Sequence, residues 1–176
     1  MKKCTYYISL GTNLGDRELF LRQALRELAI LDGTSVGAVS DVFETDPVDF
    51  ADQPKFLNAV VEVRSEMDAL DMLRVLVRIE RTLGRVRTVR YGPRIIDLDM
   101  LLCDEAEIDL TPELIIPHPR MHERAFVLVP LSQIAPTLTH PLLGATMREL
   151  CDQVCGKEGV KWTPICLRDG CAPTEN

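Results

Sequence analysis

Aromatic side chains are scarce in this 176-residue chain, at 5% of residues against 46% apolar overall. A ferredoxin-like RNA-binding module usually stacks bases on sheet aromatics, and the candidate strands offer mainly Val, Leu, Ile and Asp instead. Basic residues are also in deficit: 20 Lys and Arg against 27 Asp and Glu leave a net charge of −7. That balance argues against a general nucleic-acid binder and against a polybasic membrane anchor. No stretch approaches the roughly 18 apolar residues of a membrane span. The first residues run into a β-rich stretch with no signal-peptide pattern, so the expected location is the cytoplasm. The usual nucleotide motifs are missing too. Residues 11–15, Gly-Thr-Asn-Leu-Gly, lack the Lys of a P-loop, and no G-x-G-x-x-G follows a strand. No Ser/His/Asp or Cys/His set supports covalent catalysis.

The length suits one domain with an appended tail, and a chain of this size buries roughly 70% of its unfolded surface without staples. Six cysteines are present, four of them (Cys151, Cys155, Cys166 and Cys171) within the last 26 residues. Their spacing is looser than the close pairs of zinc sites, so the expectation is reduced thiols.

Hydrophobic periodicity predicts strands over 4–10, 34–44, 56–64 and 95–102, with helices over 16–31 and 68–83. Asp16 is the expected N-cap of the first helix, with Leu21, Ala24, Leu25 and Leu28 on its buried face. Leu70, Leu73, Leu76 and Val77 are the expected buried face of the second. Residues 107–110 are expected to pair back on the strand before them. A short helix over 125–134 is expected to break at Pro130, and a last helix covers 146–154. The order β-α-β-β-α-β predicts an α+β, ferredoxin-like sandwich: an antiparallel sheet with both helices packed on it, plus a C-terminal helical extension. The expected domain is 1–156, followed by an irregular, loosely attached tail over 157–176. Two loops of about ten residues, 45–55 and 84–94, are long for so compact a unit and are expected to be functional.

Two constellations carry chemistry. Asp97 and Asp99, two apart on a strand, project to one face while Ile96, Leu98 and Met100 take the other. Carboxylates amid apolar residues are costly unless paired or metal-bound, and hard oxygens at this spacing suit magnesium. Just upstream, residues 78–94 hold six arginines and one acid, Glu80, a local charge of +5 in a chain that is otherwise −12. Arg78 and Arg81 fit a solvated helix face. Arg85, Arg87 and Arg94 do not, because their loop leads directly into the Asp pair. Arginine favours bidentate phosphate contacts, and cations beside metal carboxylates suit phosphoryl transfer. Asn58, in an apolar strand, has a donor and an acceptor matched to a heterocycle edge, or to neighbouring backbone. His118 lies between two prolines, with His122 and Arg124 close behind.

The stretch from Gly84-Arg85-Val86-Arg87 through Tyr91-Gly92-Pro93-Arg94-Ile95-Ile96-Asp97-Leu98-Asp99 resembles the signature of the 6-hydroxymethyl-7,8-dihydropterin pyrophosphokinase family. Leu10-Gly11-Thr12-Asn13-Leu14-Gly15, Gln53-Pro54-Lys55-Phe56-Leu57-Asn58-Ala59, Pro117-His118, Arg124 and Phe126 add to the resemblance, which spans about residues 4–152. It implies a ferredoxin-like fold and transfer of diphosphate from ATP to a pterin alcohol in folate biosynthesis, with AMP released. It implies two magnesium ions on Asp97 and Asp99, and Arg85 and Arg94 acting on the transferring group. Glu80, Arg87, His118 and Arg124 would join Arg85 and Arg94 around ATP. Thr45, Val48, Phe56, Asn58, Tyr91 and Phe126 would line the pterin pocket. The implied partners are small molecules only, with no nucleic acid and no membrane, and the implied state is a monomer. The chain departs from the family pattern at Asp46, Val77, Tyr91 and Pro119. The rival readings are a two-metal phosphodiesterase or nuclease on the same Asp pair, and a non-catalytic RNA-binding module.

Overall fold

The computed structural model describes residues 3–47, 52–85, 92–104 and 107–168. Alternating apolar residues build the long strands β1 (Cys4–Thr12), β4 (Phe56–Ser65) and β5 (Asp97–Cys103). The sheet order is β5-β1-β4, continued by β3 (Phe43–Thr45) and β8 (Val160–Trp162), with β2 (Thr34–Val39) also paired to β4. Every one of these pairings is antiparallel.

Helices α1 (Arg17–Ala29) and α2 (Ala69–Thr82) join the central strands. Asp16 caps α1, accepting from Leu19 N at 3.0 Å, and Asp68 caps α2, accepting from Asp71 N at 2.8 Å. Leu21, Ala24, Leu25 and Leu28 of α1 are buried with Ile8, Leu10, Val61, Val63 and Leu98 in the main core. On α2 the buried face is rotated from the one expected: Ala69, Met72, Val75, Leu76 and Ile79 are inside, while Leu70 and Leu73 pack at its margin.

A second, smaller core lies on the opposite sheet face. There Val60, Leu101 and Leu102 meet α3 (Ala125–Ile134) and α4 (Met147–Gln153). Pro130 does not interrupt α3, contrary to expectation. Burial of Val127, Leu128 and Leu131 in this cluster offsets the roughly 3 kcal/mol that an interior proline costs.

Four further expectations are corrected. The strand over 34–44 is two strands, β2 and β3, because Ser40 leaves the ladder and its hydroxyl accepts from Val60 N at 2.9 Å. Residues 108–110 (β6) pair with β7 (Leu114–Ile116) and not with β5, whose edge is left to the segment ahead of α3. The stretch after 156 is not loose as far as it is described. β8 pairs with β3, Ile165 packs against the main core, and Leu167 is buried in it. Cys166 is disulfide-bonded, which corrects the expectation of reduced thiols there. Cys151 and Cys155 are free, and Cys171 lies outside the described residues.

Candidate active site

The β-register sets the site floor. Gly11 of β1 stands between Asp97 of β5 and Asn58 of β4, and Ser9 stands opposite Asp99. All five face the side of the sheet that carries the smaller core, beyond the start of α3. A Cβ on Gly11 would come within 3.2 Å of Asn58 Oδ1, so glycine keeps the floor open. Above it is a cavity of about 400 Å³. Thr45, Phe56, Asn58 and Phe126 line one part, and Arg94, Asp97, Asp99, His118 and Arg124 another. Residues some fifty positions apart in sequence thus share one chamber.

The carboxylates are held differently. Asp97 is paired with both Arg85 and Arg94. Asp99 faces the chamber, and burial, followed by the charge of Asp97, pushes its carboxyl up to about 7. Arg124 and Arg94 pull weakly the other way. This local excess of negative charge is what a divalent cation would relieve. Among the described residues no three His, Cys, Asp or Glu side chains converge. Two carboxylates without a full protein cage are the donor set magnesium takes when phosphate and water complete its shell, so the residues fit that ion.

Glu80 is buried on α2, away from the chamber wall, where an ATP contact was expected. It accepts from Leu98 N at 2.8 Å and pairs with Arg85. Burial raises its pKa, against the pull of Leu98 N and Arg85. Its position makes it the support that aims Arg85 at Asp97. His118 is fixed by its own N–H on Leu101 O at 2.8 Å, and its Nδ1 accepts from Arg120 N at 3.2 Å. The neutral ring must then carry its proton on Nε2, a donor available to a ligand. Burial, then Arg124 and Arg120, lower its pKa to about 4. Arg124 sits 5.6 Å over the Phe126 ring, so one cation borders both parts of the chamber. Val48, Arg87 and Tyr91 lie outside the described residues.

Several residues in and around the chamber were not singled out from the sequence. Asn13, named above only within the Leu10–Gly15 stretch, is almost wholly buried. Its Nδ2 donates to Gln53 Oε1 and Pro54 O, and its Oδ1 accepts from Arg94 N. Arg120 lines the chamber, as do Asp46 and Pro119, two of the departures from the family pattern. An amide directly after a strand and before a capped helix was the available signal for Asn13.

Residues 7–136 match the model of 7,8-dihydro-6-hydroxymethylpterin-pyrophosphokinase (HPPK). The chain belongs to the HPPK family. A 2-amino-4-hydroxy-6-hydroxymethyldihydropteridine pyrophosphokinase of Bacillus subtilis is 49% identical over 128 residues, covering 73% of this chain and 76% of that protein. The Pseudomonas aeruginosa protein of the same name is 42% identical over 158 residues, covering 90% and 96%. The HPPK fold is also seen in the wild-type Plasmodium falciparum HPPK-DHPS structure, with a TM-score of 0.68 at 19% identity over 86% of this chain. This chain spans 45% of that longer one.

Proposed function

We propose that this HPPK-family chain transfers diphosphate from ATP to the hydroxymethyl group of 6-hydroxymethyl-7,8-dihydropterin and releases AMP. The observation that carries the reading is the shared chamber, in which an amide with two flanking aromatics faces a carboxylate pair ringed by arginines. The unit up to residue 103 is ferredoxin-like, and the catalytic domain runs over 1–156 with the following strand sewn onto its edge. The enzyme acts as a cytoplasmic monomer, where ATP is supplied, with no nucleic-acid or membrane partner.

Phe56 and Phe126 offer ring faces to a flat heterocycle, and Asn58, oriented by Thr45, reads its edge; Val48 and Tyr91 complete this pocket. Asp97 and Asp99 hold two magnesium ions, which supply charge neutralisation of the triphosphate. Arg94, with Arg85 behind it, meets the charge that builds on the diphosphate in flight. Arg124, Arg87 and the Nε2–H of His118 hold the remaining phosphate and ribose oxygens. The pterin hydroxyl attacks the β-phosphorus in line, and AMP departs. A loose transition state needs little general-base help, so positioning and electrostatics dominate.

The test is to mix protein, ATP, magnesium and the pterin alcohol and to quantify AMP, with Asp97→Ala as control. Pterin-dependent AMP, lost in the control, is the expected result. ADP, or AMP formed without pterin, would replace this reading with a kinase or a phosphodiesterase.

A further inference from the structure

The chain that follows α4 lies outside the residues matched to the family, yet it touches the pterin side of the chamber through one intermediate strand. β3 is only three residues long. On its inner edge Phe43, Glu44 and Thr45 pair with Asn58, Leu57 and Phe56 of β4. On its outer edge the same three residues pair with Trp162, Lys161 and Val160 of β8. Beyond β8 the contact continues. Thr163 donates twice to Val42 O, from N at 3.0 Å and from Oγ1 at 2.9 Å. Arg168 reaches Asp41 Oδ1 at 2.9 Å. The strap is itself anchored, because Arg22 Nη2 donates to Cys166 O at 2.8 Å and Leu167 is buried in the main core.

A three-residue edge strand paired on one side only would fray. The consequence falls on Thr45, the last residue of β3. Its buried hydroxyl accepts from Asn58 Nδ2 at 2.7 Å, which fixes which way the Asn58 amide faces. Asn58 Oδ1 is thereby left over Gly11, on the chamber floor. From these contacts the geometry points to residues 160–168 as a positioning strap: by holding β3 in register they set Thr45, and through it the Asn58 amide that discriminates the pterin edge. The effect is confined to the heterocycle side, because Asp97, Asp99 and His118 are held by β5 and by the segment ahead of α3. This inference rests on the pterin reading proposed above.

Lys161 gives a clean test. It is exposed, and Thr163 N already bonds Val42 O. Bonded pairs alternate along an antiparallel ladder, so the next bonded pair is Glu44 with Lys161. Lys161→Pro removes that N–H without touching the core, and Lys161→Ala keeps it. With the full chain, Lys161→Pro is expected to raise KM for the pterin alcohol about five- to tenfold, the worth of one hydrogen bond. KM for ATP should stay within about twofold and Lys161→Ala should be silent. Thr45→Val should reproduce the pterin effect, and the Lys161→Pro/Thr45→Val double variant should add little to it. If Lys161→Pro does not fold, the Thr163→Val/Arg168→Ala pair removes only side-chain bonds and should shift the pterin KM in the same direction. An unchanged pterin KM in an active, folded strap variant would overturn the inference, as would equal rises for both substrates. Failure of the wild-type chain to make pterin-dependent AMP would instead overturn the pterin reading itself.

Discussion

Asn13 and Arg94 are joined twice: Asn13 N donates to Arg94 O at 3.0 Å, and Arg94 N donates to Asn13 Oδ1 at 2.7 Å. The same amide donates to Gln53 and Pro54. The ends of both long loops are therefore tied to the end of β1 by one buried side chain. Asn13→Ala should lower kcat/KM at least about tenfold for both substrates, since a small misplacement at the chemistry is expensive. Asn13→Asp keeps the acceptor for Arg94 N and loses the donor to Gln53 and Pro54, so it should weaken pterin more than ATP. Steady-state kinetics on the two variants separate the two ties.

Arg85→Ala and Arg94→Ala should cut turnover about 10²- to 10³-fold, the range for removing one charge-stabilising donor. Nucleotide affinity, read by equilibrium titration, should change far less; an equal loss in both would show that these arginines serve ground-state binding alone. The two differ in stability. Arg85→Ala strands the buried Glu80 and should cost about 3 kcal/mol in denaturant unfolding, whereas Arg94 has no such buried dependant.

The two aspartates should respond in opposite directions to removal of charge. Asp97→Asn deprives Arg85 and Arg94 of their partner and should lower thermal stability. Asp99→Asn relieves a buried carboxylate that repels Asp97, and without metal it should melt higher, by about 1 kcal/mol. Both variants should lose activity, and chelation should silence the wild type until magnesium is restored. Calorimetry with and without chelator reads the stabilities, and AMP formation reads the activity.

His118 places part of the acid sensitivity in a defined window. Its folded pKa, about 4, is below the ordinary value of 6.5, so the unfolded chain takes up the proton first. Stability from this group is complete above pH 6.5 and is lost as pH falls from 6.5 towards 4, by about 1–2 kcal/mol after allowance for solvent screening. His140, whose buried ring also resists protonation, adds in the same direction. Denaturant melts of His118→Asn between pH 7 and 5 should be flatter than those of the wild type. Parallel curves would show that the ring is already charged in the folded protein.

Local chemistry alone determined much of this protein. The caps at Asp16 and Asp68, the side-by-side carboxylates of β5 and the arginine-rich loop follow from spacing and side-chain type, which act over a few residues. The alternation of strands and helices was legible because hydrophobic period changes from element to element, while the split of 34–44 into β2 and β3 was not. Tertiary structure alone decided which distant residues became partners. Glu80, about three turns into a helix, is buried against Leu98 N, because only the packing of α2 against β5 brings the two together. Pro130 looked like a helix break and was overridden by burial in the second core. Asn13 was one residue of a short motif until two loops closed on it, and residues 160–168 looked like a loose end until β3 offered them an open edge. A hydrogen-bond donor in sequence announces a need for a partner, and only the folded chain can say which one meets it.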